Sequence, residues 1–123
     1  MLSIVRHGRV SGALEIIYHG VVTCAVRMAA IGKSQAMMGT VPIAIVDFSV
    51  ASLAMTPDER REFQSALATS EGFDQTVVIY VAGPHRDALE SEAEIGNSLG
   101  RIVEVVDDIE DAYGFIAAME ADD

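Results

Sequence analysis

Thr76-Val-Val-Ile-Tyr-Val-Ala82, broken at once by Gly83-Pro84, is the stretch on which the fold turns. Its β-branched and aromatic residues read as a strand, and the Gly-Pro pair stops it. A helix is predicted from about Pro84 to Leu99, closed by Gly100. Arg101-Ile-Val-Glu-Val-Val106 reads as the next strand. Asp107 or Asp108 then caps a last helix, in which Ile109, Ala112, Tyr113, Ile116 and Met119 fall at helical spacing. Strands alternating with helices of this length imply right-handed parallel crossovers.

Working upstream, Pro42-Ile-Ala-Ile-Val-Asp-Phe48 is apolar without alternation, which suits a central strand covered on both faces. Residues 49–55 read as a loop. Thr56-Pro57-Asp58-Glu59 then opens a helix: Thr56 as N-cap, Pro57 at the first helical position, Glu59 completing a capping box. Phe63 and Leu67 mark its inner face and Gly72 ends it. The N-terminal stretches Leu2–Val10 and Leu14–Gly20 read as two strands of a hairpin turning at Ser11-Gly12. That turn sets His7 opposite Ile16 and His19 opposite Ile4, so the histidines lie about 10 Å apart at ~3.3 Å per residue, too far to share a metal.

Between hairpin and central strand, Thr23 caps a helix that Gly39 stops. Cys24, Met28, Ile31 and Met38 line one side of it, and Ala25, Val26, Ala29, Ala30 and Met37 make the other sides apolar too. Only Arg27, Lys33, Ser34 and Gln35 are clearly polar, and a helix apolar on most sides is buried on more than one. Core packing accounts for one face. The second asks for another subunit or a bound apolar molecule, and the methionines suit an adaptable contact. The order is β-β-α-β-α-β-α-β-α: an α/β fold with a mostly parallel five-stranded sheet, an N-terminal β-hairpin and about four helices, in a single domain over residues 1–123.

Composition narrows the partners. Half the residues are hydrophobic and mean hydropathy is +0.31, which excludes a disordered chain. The formal charge of −11 argues against nucleic acid or an anionic membrane as partner, since phosphates are repelled. The charge is uneven: residues 1–46 hold four bases against one acid, Glu15, whereas residues 47–123 hold four bases against 18 acids. Seven of those acids fall at helix starts (Asp58, Glu59, Asp87, Asp107, Asp108, Glu110, Asp111), and Glu90, Glu92 and Glu94 read as solvated surface. One cysteine, no signal-peptide pattern and no apolar run of membrane-spanning length point to a reducing, cytoplasmic setting without stable membrane insertion.

Chemistry-bearing residues are few. Asp47 ends a strand at the carboxyl edge of the sheet, where ligands bind in parallel α/β folds; its plain role is to hold loop amides around Ser49. Cys24 lies at a helix start but has no paired base in sequence, and Gly83-Pro84-His85-Arg86 reads as a strand-to-helix turn before it reads as an anion site. Nucleophile elbow, phosphate loop and dinucleotide fingerprint are all missing from the sequence. The expectation is no catalytic residue, no metal and no cofactor.

The order of elements and four local patterns resemble the SpoIIAA-like, or STAS-like, family of small bacterial proteins. Ile16-Ile-Tyr-His-Gly-Val-Val-Thr23 looks like that family's second strand entering its first helix. Ile43-Ala-Ile-Val-Asp-Phe-Ser49 looks like its strand ending in Asp-Leu-Ser, and Val77-Val-Ile-Tyr-Val-Ala82 like the next central strand. Val103-Glu-Val-Val-Asp-Asp-Ile-Glu-Asp-Ala112 looks like the closing strand and helix. The resemblance implies a binding protein rather than an enzyme, with a partner protein, a nucleotide or a small apolar ligand as its target. In anti-sigma-factor antagonists of the family a serine in Asp-Ser-Ser-Gly is phosphorylated. The corresponding stretch here is Met55-Thr56-Pro57-Asp58, with Pro57 in the acceptor's place and Thr56 occupied as a helix cap. A remoter, SEC14-like subgroup binds lipids.

Three functions therefore stand: an interaction or regulatory module without the phosphorylatable serine, a carrier of a small apolar ligand or lipid, and an enzyme whose pocket sequence does not reveal. The candidate binding residues are Asp47, Ser49 and Thr56 at the sheet edge and Met28, Ile31 and Met38 on the first helix, with a homo-oligomer formed through that helix.

Overall fold

The computed structural model describes residues 2–121. Five strands form one sheet in the order β1 (Ser3–His7), β2 (Ala13–Tyr18), β4 (Ile43–Asp47), β6 (Val77–Val81), β7 (Ile102–Val106). β1 and β2 pair antiparallel and the other pairs are parallel. Helices α1 (Cys24–Met38), α2 (Pro57–Ala68) and α3 (Arg86–Ser98) supply the crossovers, and α4 (Ile109–Ala121) closes the chain. Alternation along each strand divides the core. Leu14, Ile16, Ala44, Val46, Val78 and Tyr80 face α1, α2 and α3, while Ile45, Ile79 and Val81 face α4 alone. β4 is thus covered on both sides, as its unbroken apolar run requires.

The local signals behave as their chemistry dictates. The Thr23 hydroxyl accepts from the Val26 amide at 3.3 Å, and Gly39 at φ +70° donates its N–H to Gln35. Thr56 and Glu59 exchange both hydrogen bonds of a capping box, with Pro57 at the first helical position. Asp108 accepts from the Asp111 amide at 2.9 Å, so Asp108 rather than Asp107 caps α4. Glu15, the sole acid of the first 46 residues, tethers α4 to the hairpin by accepting from Tyr113 and Arg6.

Three expectations are corrected. The hairpin does not turn tightly at Ser11-Gly12. The Gly8 amide donates to Ala13 O at 2.8 Å, which closes the ladder at His7 and Leu14 and leaves residues 8–12 as the loop, with Gly12 at φ +84°. His7 therefore faces Leu14, not Ile16, and His19 lies past the end of β2. Residues 49–55 are not wholly loop: β5 (Ala51–Leu53) pairs in parallel with β3 (Gly20–Val22) as a separate two-stranded sheet.

The largest correction concerns α1. Its buried residues are Arg27, Ala30, Ile31 and Ser34, not the Cys24, Met28, Ile31, Met38 stripe. The helix has turned a charged residue inward because Glu92, expected on the solvated surface, is also inside.

Candidate functional site

Arg27 is 1 % exposed and Glu92 0 %, the most deeply buried ion pair among the described residues. The guanidinium meets the carboxylate in bidentate fashion, at 2.6 and 2.8 Å. Glu92 also accepts from Gln64 at 2.6 Å and from the Tyr80 hydroxyl; Arg27 reaches Tyr80 at 2.9 Å; Arg101 donates to Gln64. The Arg27 guanidinium lies 3.9 Å from the Phe63 ring centroid, a cation–π contact in a dry setting. Glu92 thus holds one guanidinium directly, Arg101 joins only through Gln64, and α1, α2, α3, β6 and the residue before β7 meet in the cluster.

The electrostatics follow from burial. Burial works to raise the Glu92 pKa, but the Arg27 charge and the hydrogen bonds from Arg27, Tyr80 and Gln64 prevail and hold it below its ordinary value. For Arg27, burial works downward and the Tyr80 and Glu92 charges carry it upward. Burial pushes Tyr18 up to about 12, and burial with the Glu92 charge pushes Tyr80 up as well. Burial lowers the Arg101 pKa, against the pull of the Tyr80 and Glu92 charges. The void beside Arg27 is about 10 Å³, room for no more than about one water. The cluster is sealed within the core, with no room for a substrate beside it.

The carboxyl edge of the sheet is occupied by its own turns. Asp47 accepts from the Ser49 amide at 2.8 Å, the plain role expected of it. The Thr56 hydroxyl accepts from Glu59 N as a cap. A Cβ on Gly83, at φ +54°, would lie 2.6 Å from Ser49 Cα, so the β6–α3 turn sits directly against the β4–β5 turn. His85 is committed there too, its Nε2 lying 2.6 Å from Ala51 O. Asp47 and His85 thus each hold a backbone atom of the same β4–β5 segment, Ser49 N and Ala51 O. Among the described residues there is no group of three or more His, Cys, Asp or Glu able to hold a metal.

The first-helix candidates do not share a surface. Ile31 is core, Met38 is half-buried against it, and Met28 stands outside at 42 % exposure. Met28 instead joins an outer face with Ala25, Ala29, Gly32, Ala36 and Met37, all exposed. An open groove of about 390 Å³ runs beside this face, lined by Ser3, Ile4, Val5, Lys33, Ala36 and Met37.

Both sheet edges carry side-chain plugs. The His19 N–H bonds Leu2 O and the Gly8 N–H bonds Ala13 O, so the backbone of Ser3, Val5 and His7 points to the free side of β1. Lys33 Nζ sits on that side, 3.3 Å from Ser3 O and 3.1 Å from Ser3 Oγ. On β7 the Asn97 amide imitates a neighbouring strand, donating to Val103 O at 3.0 Å and accepting from Val103 N at 2.9 Å. Each plug blunts an edge that another chain would otherwise extend.

Sequence reasoning missed the Arg27–Glu92 pair, although a signal was present. Leu89, Glu92, Ala93 and Gly96 keep the 3-4-7 spacing of a buried helix face, and Glu92 lies on it.

No helix among the described residues is long and apolar enough to cross a membrane. No protein-family model matches the chain, and no curated protein matches it in sequence. A solved structure does match in shape: an uncharacterised DUF3478-family protein from Shewanella loihica PV-4, described as having a SpoIIAA-like fold. It is 13 % identical over 92 % of this chain and 90 % of that one, with a TM-score of 0.54. The five-stranded, mostly parallel sheet with its N-terminal hairpin and four helices is a SpoIIAA-like fold.

Proposed function

We propose that the chain is a non-enzymatic interaction or regulatory module, cytoplasmic, working without the phosphorylated serine of anti-sigma-factor antagonists. The observation that carries this is a division of labour. Four polar groups that could do chemistry are consumed by the fold: Arg27 and Glu92 on each other, Asp47 on a turn amide, Thr56 on a helix cap. The surface left over is apolar and free of acid, the outer face of α1. Pro57 in the acceptor's place removes the switch hydroxyl, which leaves recognition by shape.

A second reading is a carrier of a small apolar ligand, favoured by the groove between β1 and α1 with Ile4, Val5, Ala36 and Met37 on its walls. One experiment weighs both. A photo-crosslinking amino acid is placed at Ala29, with Ala117 on α4 as control, and irradiated in the cells that make the protein. A discrete protein adduct at Ala29 and none at Ala117 supports the module. A mass increase of lipid size, confirmed by native mass spectrometry, supports the carrier. No adduct at Ala29 counts against both.

A further inference from the structure

We infer that the outer face of α1 is the contact face of a two-fold homodimer in which the α1 helices of two copies pack antiparallel. This rests on the interaction-module reading and names its partner as a second copy of the chain. Four observations lead there.

Packing within the chain does not call for a glycine at Gly32. A Cβ built on it meets nothing within 4 Å, whereas one built on Gly96 meets Gln64 and Val103 at 2.7 Å. A mid-helix glycine the fold does not need, in the centre of an exposed stripe, suits the close approach of another backbone. The stripe is also its own complement. Ala25, Ala29, Gly32 and Ala36 are spaced 4, 3 and 4, the same read from either end. Antiparallel pairing therefore sets Ala25 opposite Ala36 of the second copy and Ala29 opposite its Gly32, the reciprocity an isologous contact requires. The same register puts Lys33 opposite Met28, so the two lysines do not collide.

Charge selects this face over the others. The chain carries −11, and exposed acids stand on α2 (Asp58, Glu62), α3 (Asp87, Glu90, Glu94) and α4 (Glu110, Asp111, Glu120). α1 has none, and its one exposed charge is Lys33. Gly114 on α4 is as open as Gly32, but two copies meeting there would set those α4 acids against each other. Finally, Lys33 blunts the β1 edge at Ser3 and Asn97 blunts the β7 edge at Val103, which disfavours strand-to-strand association at those points. A helix of 15 residues is ~22 Å long, and the adjoining groove extends its apolar surface to Ile4 and Val5, toward the ~800 Å² per partner that a stable interface buries.

The test is sedimentation velocity of the purified full chain at micromolar concentration, with Ala29→Glu and the control Ala117→Glu. Wild type and Ala117→Glu are expected to sediment as two chains. Ala29→Glu is expected to weaken association at least tenfold, with an unchanged far-ultraviolet circular dichroism spectrum. A wild-type protein that stays single at 100 µM overturns the homodimer, as does an Ala29→Glu variant that remains paired. A single-chain wild type together with a foreign-protein adduct at Ala29 in cells overturns the homodimer while leaving the module intact. A single-chain wild type with no adduct overturns both.

Discussion

The two faces of α1 contrast more sharply than any two elements of the fold. The inner face carries Arg27 and Ser34 and is sealed; the outer face carries Met28, Met37 and three alanines and is open. By hydropathy alone the two would be exchanged. The difference teaches that a partner decides a face: Arg27 goes in because Glu92, Tyr80 and Gln64 wait for it, and Ser34 goes in because its hydroxyl bonds Ala30 O at 2.8 Å. A buried pair contributes little net stability over apolar residues of the same shape, but each half is costly to leave alone.

Breaking the inner face gives the largest effect. Arg27→Met strands the Glu92 carboxylate without its guanidinium and is expected to cost about 3–5 kcal/mol in urea unfolding. Arg27→Met with Glu92→Leu should recover more than half of that loss. Equal instability of the single and double variants would show that packing, not charge, makes the inner face.

The same face sets the response to pH. Tyr18 is held to about 12 by burial, against 10 when unfolded, so between those values the folded state binds more protons and stability falls as pH rises. Tyr18 alone accounts for about 2–3 kcal/mol over that span, and Tyr80 acts in the same direction. Glu92 works at the other end. Its lowered pKa gives stability that is present above 4.5, the unfolded value, and lost as pH falls through the folded one. Equilibrium unfolding followed from pH 3 to 12 should therefore show a neutral plateau with two falling flanks. A flank beginning near pH 8 would contradict the buried tyrosines.

Legibility from sequence divided along the same line. β6, the capping box of α2 and the strand–helix order were readable because each depends on neighbours within a few residues. The face of α1 was not, since Arg27 is fixed by residues 53 and 65 positions away. β5 was missed for a related reason: three residues carry too little pattern, and their partner, β3, lies a whole helix and strand upstream. Of the candidate site residues, Asp47 and Thr56 were placed correctly as turn and cap, while Met28, Ile31 and Met38 scattered from outside to core.

Glycines probe the two kinds of helix face more gently. Gly96 lies where α3 meets the buried cluster, and a Cβ there would press on Gln64 Oε1 and Val103 Cγ2. Gly96→Ala is expected to cost about 1–3 kcal/mol through overpacking, read as a lower urea midpoint. Thr56→Ala, which removes an exposed cap far from either α1 face, should cost about 1 kcal/mol and leave association untouched.

Gly32→Ala has the smallest effect and the opposite sign. Nothing in the chain opposes a methyl group there, so the folded monomer should gain about 0.5–1 kcal/mol from helix propensity. The added carbon would, however, stand in the seam where α1 meets α1, opposite Ala29 of the second copy. Urea unfolding of protein diluted below the association range should register the gain, while sedimentation at micromolar concentration registers weaker pairing. The two readouts moving in opposite directions would mark Gly32 as kept for a neighbour outside the chain. A gain in stability with unchanged pairing would return the outer face of α1 to plain surface, and the contrast between the two faces would then be one of burial alone.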